Sequence, residues 1–323
     1  MRELTKIIVT ELLLGLAGIL IMGAVIAWYA GGELIDPVPR YIGHPPRALS
    51  VANASFVNGS GTLVHGWVSH GKAGQGVILL LHGLHGDRRD MVPRAEFLSR
   101  LGYSVLLIDF QAHGESTGRH VTFGFLESRD VVGAIQYLRY TLPDEPIGVI
   151  GASLGADAFA LARSRLPVDA VILESMYASV KEAVESRLRV HVGLFAPAFA
   201  SLMAVQVRTR LGISHDSQEI MEGMKHLDAP LLMLSSTDDP NVPLTDAQAL
   251  FGAAAEPKEF WAVRGAGRGD LYEFEKAEYE RRVAAFLRDH LKPRAKSHSD
   301  SQEEDSPLED SRGAGRPQSL KTG

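Results

Sequence analysis

The sequence predicts an α/β fold in which a mainly parallel central sheet is flanked by helices. The first observation is a series of short, continuous apolar runs, and the second is the amphipathic stretches between them. The third is a serine between two glycines directly behind one of the runs. Continuous apolar runs are typical of strands buried on both faces, and their alternation with helices favours parallel crossover connections. The 323 residues, 45% of them hydrophobic, suffice for one substantial core.

A long apolar segment opens the chain. From Leu12 to Ala30 it contains no charged residue, and a membrane-crossing helix needs about 20 apolar residues. Trp28 and Tyr29 close the run, where aromatic rings favour the headgroup boundary, and Arg2 precedes it. We therefore expect an uncleaved transmembrane anchor over residues 7–30. We also expect a single-pass membrane protein whose globular domain is extracytoplasmic.

Two other interpretations of this segment remain open. Small residues at Ala30, Gly31 and Gly32 would permit cleavage of a secretory signal, although the run exceeds the usual 7–15 apolar residues of such signals. A buried core helix is the third possibility. Arg40 and Arg47 lie on the far side of the run and weaken the charge asymmetry on which the orientation depends.

The segment that follows predicts a linker over residues 31–47, because it is rich in proline and glycine. A globular domain over residues 48–291 then begins with an expected antiparallel hairpin, Ser55–Val57 and Leu63–Val68. Six further strands are predicted at Val77–Leu81, Ser104–Ile108, Ile147–Ile150, Ala170–Leu173, Leu231–Leu234 and Glu259–Val263. Crossover helices are predicted at Phe125–Tyr140 and Glu273–His290.

An insertion interrupts this alternation at residues 176–226, which carry helical patterning without a strand signal. Because it follows the carboxyl end of a strand, it could form a lid with an apolar inner face. Packing of its apolar residues onto the sheet as ordinary core is an equally good interpretation. The final residues, 292–323, are polar and charged and predict a disordered tail.

Gly151-Ala152-Ser153-Leu154-Gly155 predicts a nucleophile elbow, in which a sharp strand-to-helix turn exposes the serine hydroxyl at the edge of the sheet. Side chains at the two glycine positions would crowd so tight a turn. Ser153 is therefore the candidate nucleophile of an acyl-transfer reaction.

Two further parts of such a site follow other strands. The turn His82-Gly83-Leu84-His85-Gly86 leaves backbone N–H groups available, so the N–H groups of Leu84 and Leu154 could form an oxyanion hole. Asp239, after the run Leu231–Leu234, is the candidate triad acid because a proline-stiffened turn directs it into the crevice. We prefer it to Asp238, which is expected to stay solvated or to cap the turn.

Four motifs together resemble the alpha/beta-hydrolase superfamily, and are most similar to its branch of serine aminopeptidases, monoacylglycerol lipases and small esterases. The resemblance covers roughly Ala48 to Leu291 and keeps the family order of motifs. It supports Asp239 as the acid and implies that His113 supports the site without a catalytic role. The motifs are His82-Gly83, Asp109-Phe110-Gln111-Ala112-His113-Gly114-Glu115-Ser116, Gly151-Ala152-Ser153-Leu154-Gly155 and Asp239-Pro240-Asn241-Val242-Pro243.

One position departs from the family pattern. Where the family carries a glycine-flanked histidine after the last strand, this chain has Arg268 in Gly265-Ala266-Gly267-Arg268-Gly269-Asp270. A guanidinium stays protonated at all physiological pH values, so it cannot accept the Ser153 proton, and its fork geometry suits a pairing with Asp239. Substitution by another histidine remains open, with His85, His113, His191 and His215 as candidates and His226 as the least favoured.

The sequence thus leaves two functions to compare. The first is a membrane-anchored serine hydrolase that acts on an ester, thioester or amide with an apolar acyl part. The second is a catalytically silent binding or scaffold protein in which Arg268 locks Asp239. A net charge of -6 argues against a nucleic-acid partner, and the absence of cysteine excludes disulfides and a cysteine nucleophile. No metal or cofactor is expected, because no cluster of side chains shows ligand spacing.

Overall fold

A computed structural model describes residues 2–162, 166–179, 181–182, 184–185, 193, 196–212, 217–240 and 242–292. The predicted tail beyond Lys292 lies outside these residues, as do His191 and His215. All structural statements below refer to the described part of the chain.

The central sheet contains eight strands in the order β10-β9-β8-β7-β4-β5-β3-β2. The hairpin β2–β3 and the pair β3–β5 are antiparallel, and every other pair in this sheet is parallel. Two short strands, β1 and β6, form a separate parallel pair. The strands are β1 Val38–Pro39, β2 Val51–Val57, β3 Leu63–Ser69, β4 Val77–Leu81, β5 Ser104–Ile108, β6 His113–Gly114, β7 Ile147–Ala152, β8 Ala170–Glu174, β9 Leu231–Ser236 and β10 Lys258–Val263.

Helices cover both faces of this sheet and account for the continuous apolar strands. In β4, Leu79 and Leu81 belong to the core cluster on one face, and Ile78 and Leu80 belong to the cluster on the other. A strand buried on both sides needs apolar residues at every position, which is the pattern that the sequence shows. The helices are α1 Arg2–Ile35, α2 Val92–Arg100, α3 Glu127–Thr141, α4 Leu154–Leu161, α5 Ala196–Leu211, α6 Ser217–Lys225, α7 Leu244–Ala253, α8 Leu271–Phe274 and α9 Lys276–His290.

The predicted strands and helices agree with this architecture, with one helix divided. The expected helix over Glu273–His290 is two helices, α8 and α9, which meet at Glu275. Asp270 caps α8, because its carboxylate accepts the N–H groups of Tyr272 and Glu273. Asp270, the residue that starts α8, lies in the loop after β10. The sequence prediction did not separate this short helix from the longer helix that follows it.

The apolar segment at the amino end forms α1, which is longer than the predicted anchor. Its stretch Arg2–Val25 is long and apolar enough to cross a membrane, and none of the described side chains in that stretch is buried. The helix continues to Ile35. The chain then pairs with β6 through Val38–Pro39. The predicted linker, residues 31–47, thus includes the end of α1 and the short paired strand β1.

The insertion after β8 is helical where the structure describes it, in α5 and α6. Helix α6 packs against α4, and α5 packs against α1. Apolar residues of both helices are buried, Met203 and Ala200 in α5 and Ile220 and Met224 in α6. Ile220 and Met224 join the core cluster of the sheet, so for α6 the interpretation as ordinary core applies.

Candidate active site

Ser153 occupies a strained turn between β7 and α4. Its φ of 50° and ψ of -113° lie outside the regions that L-residues normally adopt. Its N–H donates to the carbonyl oxygen of Glu174 (2.8 Å), and its own carbonyl oxygen accepts the N–H of Ala156 (2.9 Å). Strain of this kind persists where surrounding contacts enforce it and is frequent at functional sites.

The glycines on either side are required by close backbone approaches. A Cβ atom on Gly151 would lie 2.8 Å from the backbone nitrogen of Ala156. A Cβ atom on Gly155 would lie 2.5 Å from the carbonyl oxygen of Leu81 in the neighbouring strand β4. Because backbone atoms cannot rotate away, any larger residue at either position would push α4 off the sheet.

An apolar pocket borders Ser153 on one side. The turn after β4 approaches closely, since a Cβ atom on Gly83 would lie 3.6 Å from the Cβ of Ser153. Leu154 begins α4, so its N–H is among those that lack an intrahelical acceptor. The other residues that line the pocket are Leu84, Phe123, Asp157, Tyr177 and Ile220.

One acidic residue, Asp157, lies among the apolar residues of this pocket. Burial raises the pKa of Asp157 well above its usual range, because removal from water disfavours the charged carboxylate. One of its oxygens accepts the N–H of Tyr177 (3.1 Å). The remaining lining of the pocket is mainly apolar and suits an alkyl chain.

A second cavity, lined by several charged residues, also borders Ser153 and has a volume of about 420 Å³. Arg268 lies on this cavity, so the structure brings the expected histidine position and Ser153 to the same space. Burial, followed by the nearby Asp87, raises the pKa of Asp90 on the same wall. The charged residues that line the cavity are Asp90, Arg94, Glu174, Arg268, Asp270 and Glu273.

Arg94 lines this cavity and contacts two of its acidic residues, Glu174 and Asp270. It is not among the residues that the sequence predicted for the site. Its side chain is 1% exposed, although it comes from α2, whose sequence suggests a surface helix. Its Nη2 donates to Glu174 Oε2 (2.6 Å) and to Asp270 Oδ1 (2.9 Å), and its Nη1 donates to Asp270 Oδ2 (2.9 Å). The rings of Tyr272 and Tyr279 lie 5.3 Å from the guanidinium carbon.

This network fixes the loop that carries residue 268. Burial alone would raise the pKa of Asp270, but the Arg94 guanidinium outweighs it and lowers the pKa of that carboxyl group. Tyr279 donates its hydroxyl proton to Glu174, whose carbonyl oxygen receives the Ser153 N–H. Arg94 thus connects the strand end beside the elbow to the end of the 264–270 loop. Polar residues at strand ends, such as Glu174, are the sequence signal that could have found this network.

The aspartates after β9 lie in the predicted loop at the carboxyl end of that strand, where Asp239 is half-buried. Asp238 is exposed, and its Oδ2 accepts the N–H of Gly265 (2.8 Å) and the hydroxyl of Thr237 (2.6 Å). Asp238 therefore ties the loop after β9 to the loop that carries Arg268.

Two of the histidines close to the site are committed to structural hydrogen bonds. Burial and the neighbouring His113 lower the pKa of His82 to about 3. The Nε2 of His82 accepts the N–H of Phe110 (3.1 Å), and its Nδ1 forms a hydrogen bond with the carbonyl oxygen of Gly83 (2.7 Å). Burial lowers the pKa of His113 to about 4, and both of its ring nitrogens are also engaged. His226 lies in a different pocket, beside Phe159. No described histidine lines either cavity at Ser153.

Comparison with known proteins identifies the family. A family model described as serine aminopeptidase, S33, matches residues 72–208. The chain is 30% identical over 191 residues to rat lysophosphatidylserine lipase ABHD12, a match that covers 57% of this chain and 46% of the lipase. The chain therefore spans less than half the length of this curated relative. An uncharacterized protein of Mycobacterium tuberculosis is 32% identical over 264 residues, covering 76% of this chain and 87% of that protein.

Solved structures agree with the fold. The Pyrococcus furiosus esterase Pf2001 superimposes with a TM-score of 0.68 at 21% identity, over 80% of this chain and 98% of the esterase. An esterase of Rhodococcus, RhEst1, gives a TM-score of 0.55 at 17% identity, over 74% of this chain and 99% of that chain. Together with the family-model match and the sequence relatives, this shared fold shows that the chain belongs to the alpha/beta-hydrolase superfamily.

Proposed function

We propose that the protein is a membrane-anchored serine hydrolase that cleaves an ester, thioester or amide with an apolar acyl part. The observation that carries the proposal is the position of Ser153, on a strained turn that borders both an apolar pocket and a cavity lined by charged residues. This arrangement suits an amphiphile whose acyl chain lies on the apolar side and whose polar leaving group lies on the other.

The reaction assigned to this site has two steps. Ser153 Oγ attacks the carbonyl carbon, and the N–H groups of Leu84 and Leu154 bind the oxyanion that forms. The bond to the leaving group then breaks, the leaving group takes up a proton, and water hydrolyses the acyl-enzyme to regenerate the hydroxyl. Asp239 orients the base in this scheme. Arg268 cannot serve as that base, so water in the polar cavity must accept the Ser153 proton and the rate must be low.

The names of similar proteins support a lipid-like substrate. Lysophosphatidylserine lipases are among the curated relatives, and two of the solved neighbours are esterases. Both names describe cleavage of esters, which is the reaction class that the pocket and cavity favour.

The membrane anchor is part of the same proposal. In it, residues 7–30 form the single-pass anchor, residues 48–291 form the extracytoplasmic hydrolase domain, and the insertion at residues 176–226 forms its lid, with helix α6 packed onto the core. The length and exposure of the Arg2–Val25 stretch of α1 support the anchor. An apolar substrate dissolved in the bilayer would then lie close to the domain.

The second candidate is a silent hydrolase-fold protein that binds a ligand without turnover. Arg268 on the wall of the Ser153 cavity is the observation in its favour. Loss of one triad member leaves only weak residual catalysis in characterised serine hydrolases.

A fluorophosphonate probe separates these candidates, because it labels only a serine that can attack. We expect labelling of the full chain at neutral pH that Ser153→Ala abolishes and Ser175→Ala preserves. Ser175 is the matched control because it lines the same cavity and also has a positive φ of 49°. A folded protein without labelling would exclude the hydrolase, and labelling that survives Ser153→Ala would reject the assignment of Ser153.

A further inference from the structure

Two glycines let the end of α1 approach the insertion helix α5. A Cβ atom on Gly31 would lie 2.4 Å from Gln206 Oε1, and one on Gly32 would lie 2.9 Å from Arg210 Nη1. Gln206 is 7% exposed, so this contact is buried. We call the contact between Gly31 and Gly32 of α1 and Gln206 and Arg210 of α5 the α1–α5 seam.

The seam includes the aromatic residue at the end of the apolar run. The guanidinium of Arg210 lies over the ring of Trp28 at 4.0 Å, and its Nη2 donates to the Trp28 carbonyl oxygen (2.6 Å). Tryptophan and arginine are both favoured at the level of lipid headgroups. On the amino-terminal side of this level the helix is exposed and apolar, as at Leu12 (67% exposed) and Ile19 (71% exposed).

Apolar packing continues from the seam to Ser153. Ile35, one turn beyond Gly31, is buried with Met203 of α5 and with Phe123 in one cluster, and Leu84 packs against that cluster. Phe123 and Leu84 also line the apolar pocket that borders Ser153. In addition, the N–H of Val121 donates to the Ile35 carbonyl oxygen (2.9 Å).

We propose that the α1–α5 seam guides the acyl chain of a bilayer lipid into the apolar pocket beside Ser153, so that the end of the anchor helix forms part of the substrate path. The occupant is a lipid of the surrounding bilayer, because the exposed apolar and aromatic residues of α1 end at Tyr29 and the buried apolar cluster begins at Ile35. The inference rests on the anchor of the proposed function and does not require that the bound lipid be hydrolysed.

Photo-crosslinking tests this path without turnover. The full chain with Ser153→Ala is reconstituted into phosphatidylcholine vesicles that contain a phosphatidylcholine with a diazirine at the end of one acyl chain. We expect label on peptides that contain Leu84 or Phe123. Label confined to the exposed residues of α1 would overturn the proposal, since it would show that the chain stays in the bilayer.

Variants of the seam make the test specific. An alanine at residue 31 could be tolerated by rotation of the Gln206 side chain, so Gly31→Leu is needed to push the helices apart. We expect it to lower labelling of the Leu84 and Phe123 peptides about tenfold, the effect of overpacking one contact. Gly18→Leu is the matched control, because nothing lies within 4 Å of a Cβ atom at Gly18.

Arg210→Met is the second variant, and it keeps the test decisive if Gly31→Leu fails to fold. It removes the contact with Trp28 without adding bulk, and we expect the same peptides to lose label. Unchanged labelling in a folded seam variant, or an equal loss in Gly18→Leu, would overturn the proposal.

Turnover separates this inference from the proposed function. With Ser153 present, hydrolysis of a long-chain ester in vesicles is compared with hydrolysis of a short-chain ester in solution. We expect Gly31→Leu to lower the ratio of the two rates about tenfold, while Gly18→Leu preserves it. Labelling of the pocket peptides without hydrolysis of either ester would reject the hydrolase and retain the lipid path. Hydrolysis of both esters with an unchanged ratio would reject the path and retain the hydrolase.

Discussion

The two sides of Ser153 are built differently. The elbow side is fixed by backbone approaches, because Gly155 lies against the Leu81 carbonyl oxygen and Gly151 against the Ala156 nitrogen. The 264–270 loop on the other side is held by side chains, through Asp238 at Gly265 and Arg94 at Asp270. Arg268 lies between these two attachments and is exposed.

This difference shows which part of the site can change chemically without loss of the fold. Backbone crowding disfavours any side chain at positions 151 and 155. Position 268 lies on a loop that Asp238 holds at Gly265 and Arg94 holds at Asp270, so we expect the loop to keep its place when residue 268 is replaced.

The largest expected effect comes from Arg268→His, which restores a residue that can accept the Ser153 proton. We expect the rate of short-chain ester hydrolysis to rise about a thousandfold, since a triad base contributes several orders of magnitude. The measurement is kcat/KM at neutral pH for the full chain in vesicles. Arg264→His is the control, because Arg264 is exposed on the same loop but does not line the cavity.

An unchanged rate in Arg268→His would contradict the role given to the 264–270 loop, in one of two ways. If the wild-type rate is already high, another base serves Ser153. If both rates are negligible while the protein is folded, the loop does not present residue 268 to the nucleophile.

The next effect concerns the side chain that holds the loop. Arg94→Met leaves the carboxylates of Glu174 and Asp270 without their cation. We therefore expect the free energy of unfolding to fall by about 3 kcal/mol. Chemical denaturation at neutral pH measures it. Arg100→Met should cost less than about 1 kcal/mol, because its ion pair with Glu280 is at the surface. Equal losses would show that burial of Arg94 has no special role.

The smallest expected effect tests how far the turn at Ser153 depends on the close backbone contact at Gly155. Gly155→Ala forces a methyl group against the Leu81 carbonyl oxygen, and we expect a loss of about 2 kcal/mol in the free energy of unfolding. The same denaturation experiment checks it. Gly252→Ala in α7 meets nothing within 4 Å, so its stability should stay the same or rise by up to about 1 kcal/mol. If both variants were equally stable, the elbow would not depend on close packing.

Local patterns made most of the fold predictable. A strand such as β4 must be apolar at every position because helices cover both faces, and the tight turn at Ser153 needs glycine on either side. Both patterns are local, because each involves only residues that are a few positions apart in the sequence. For the same reason the turn and strand positions of Ser153, Leu84 and Leu154 could be read from the chain.

Long-range contacts were not predictable in this way. Arg94 is buried only because Glu174 and Asp270, 80 and 176 residues away, provide its partners. The seam between α1 and α5 likewise depends on Gln206 and Arg210, far from Gly31 in the chain. From the sequence alone, Gly31 and Gly32 are typical of a linker or a cleavage site, and only the structure shows their contacts with Gln206 and Arg210.

One carboxylate gives the polar cavity an unusual property. Asp270 Oδ1 receives Arg94 Nη2 together with the N–H groups of Tyr272 and Glu273, which begin α8. The hydrogen bond that holds the loop to Arg94 and the cap of this short helix thus share one acceptor. Loss of that carboxylate would release the 264–270 loop and uncap α8 together, which couples one wall of the cavity to the stability of four helical residues.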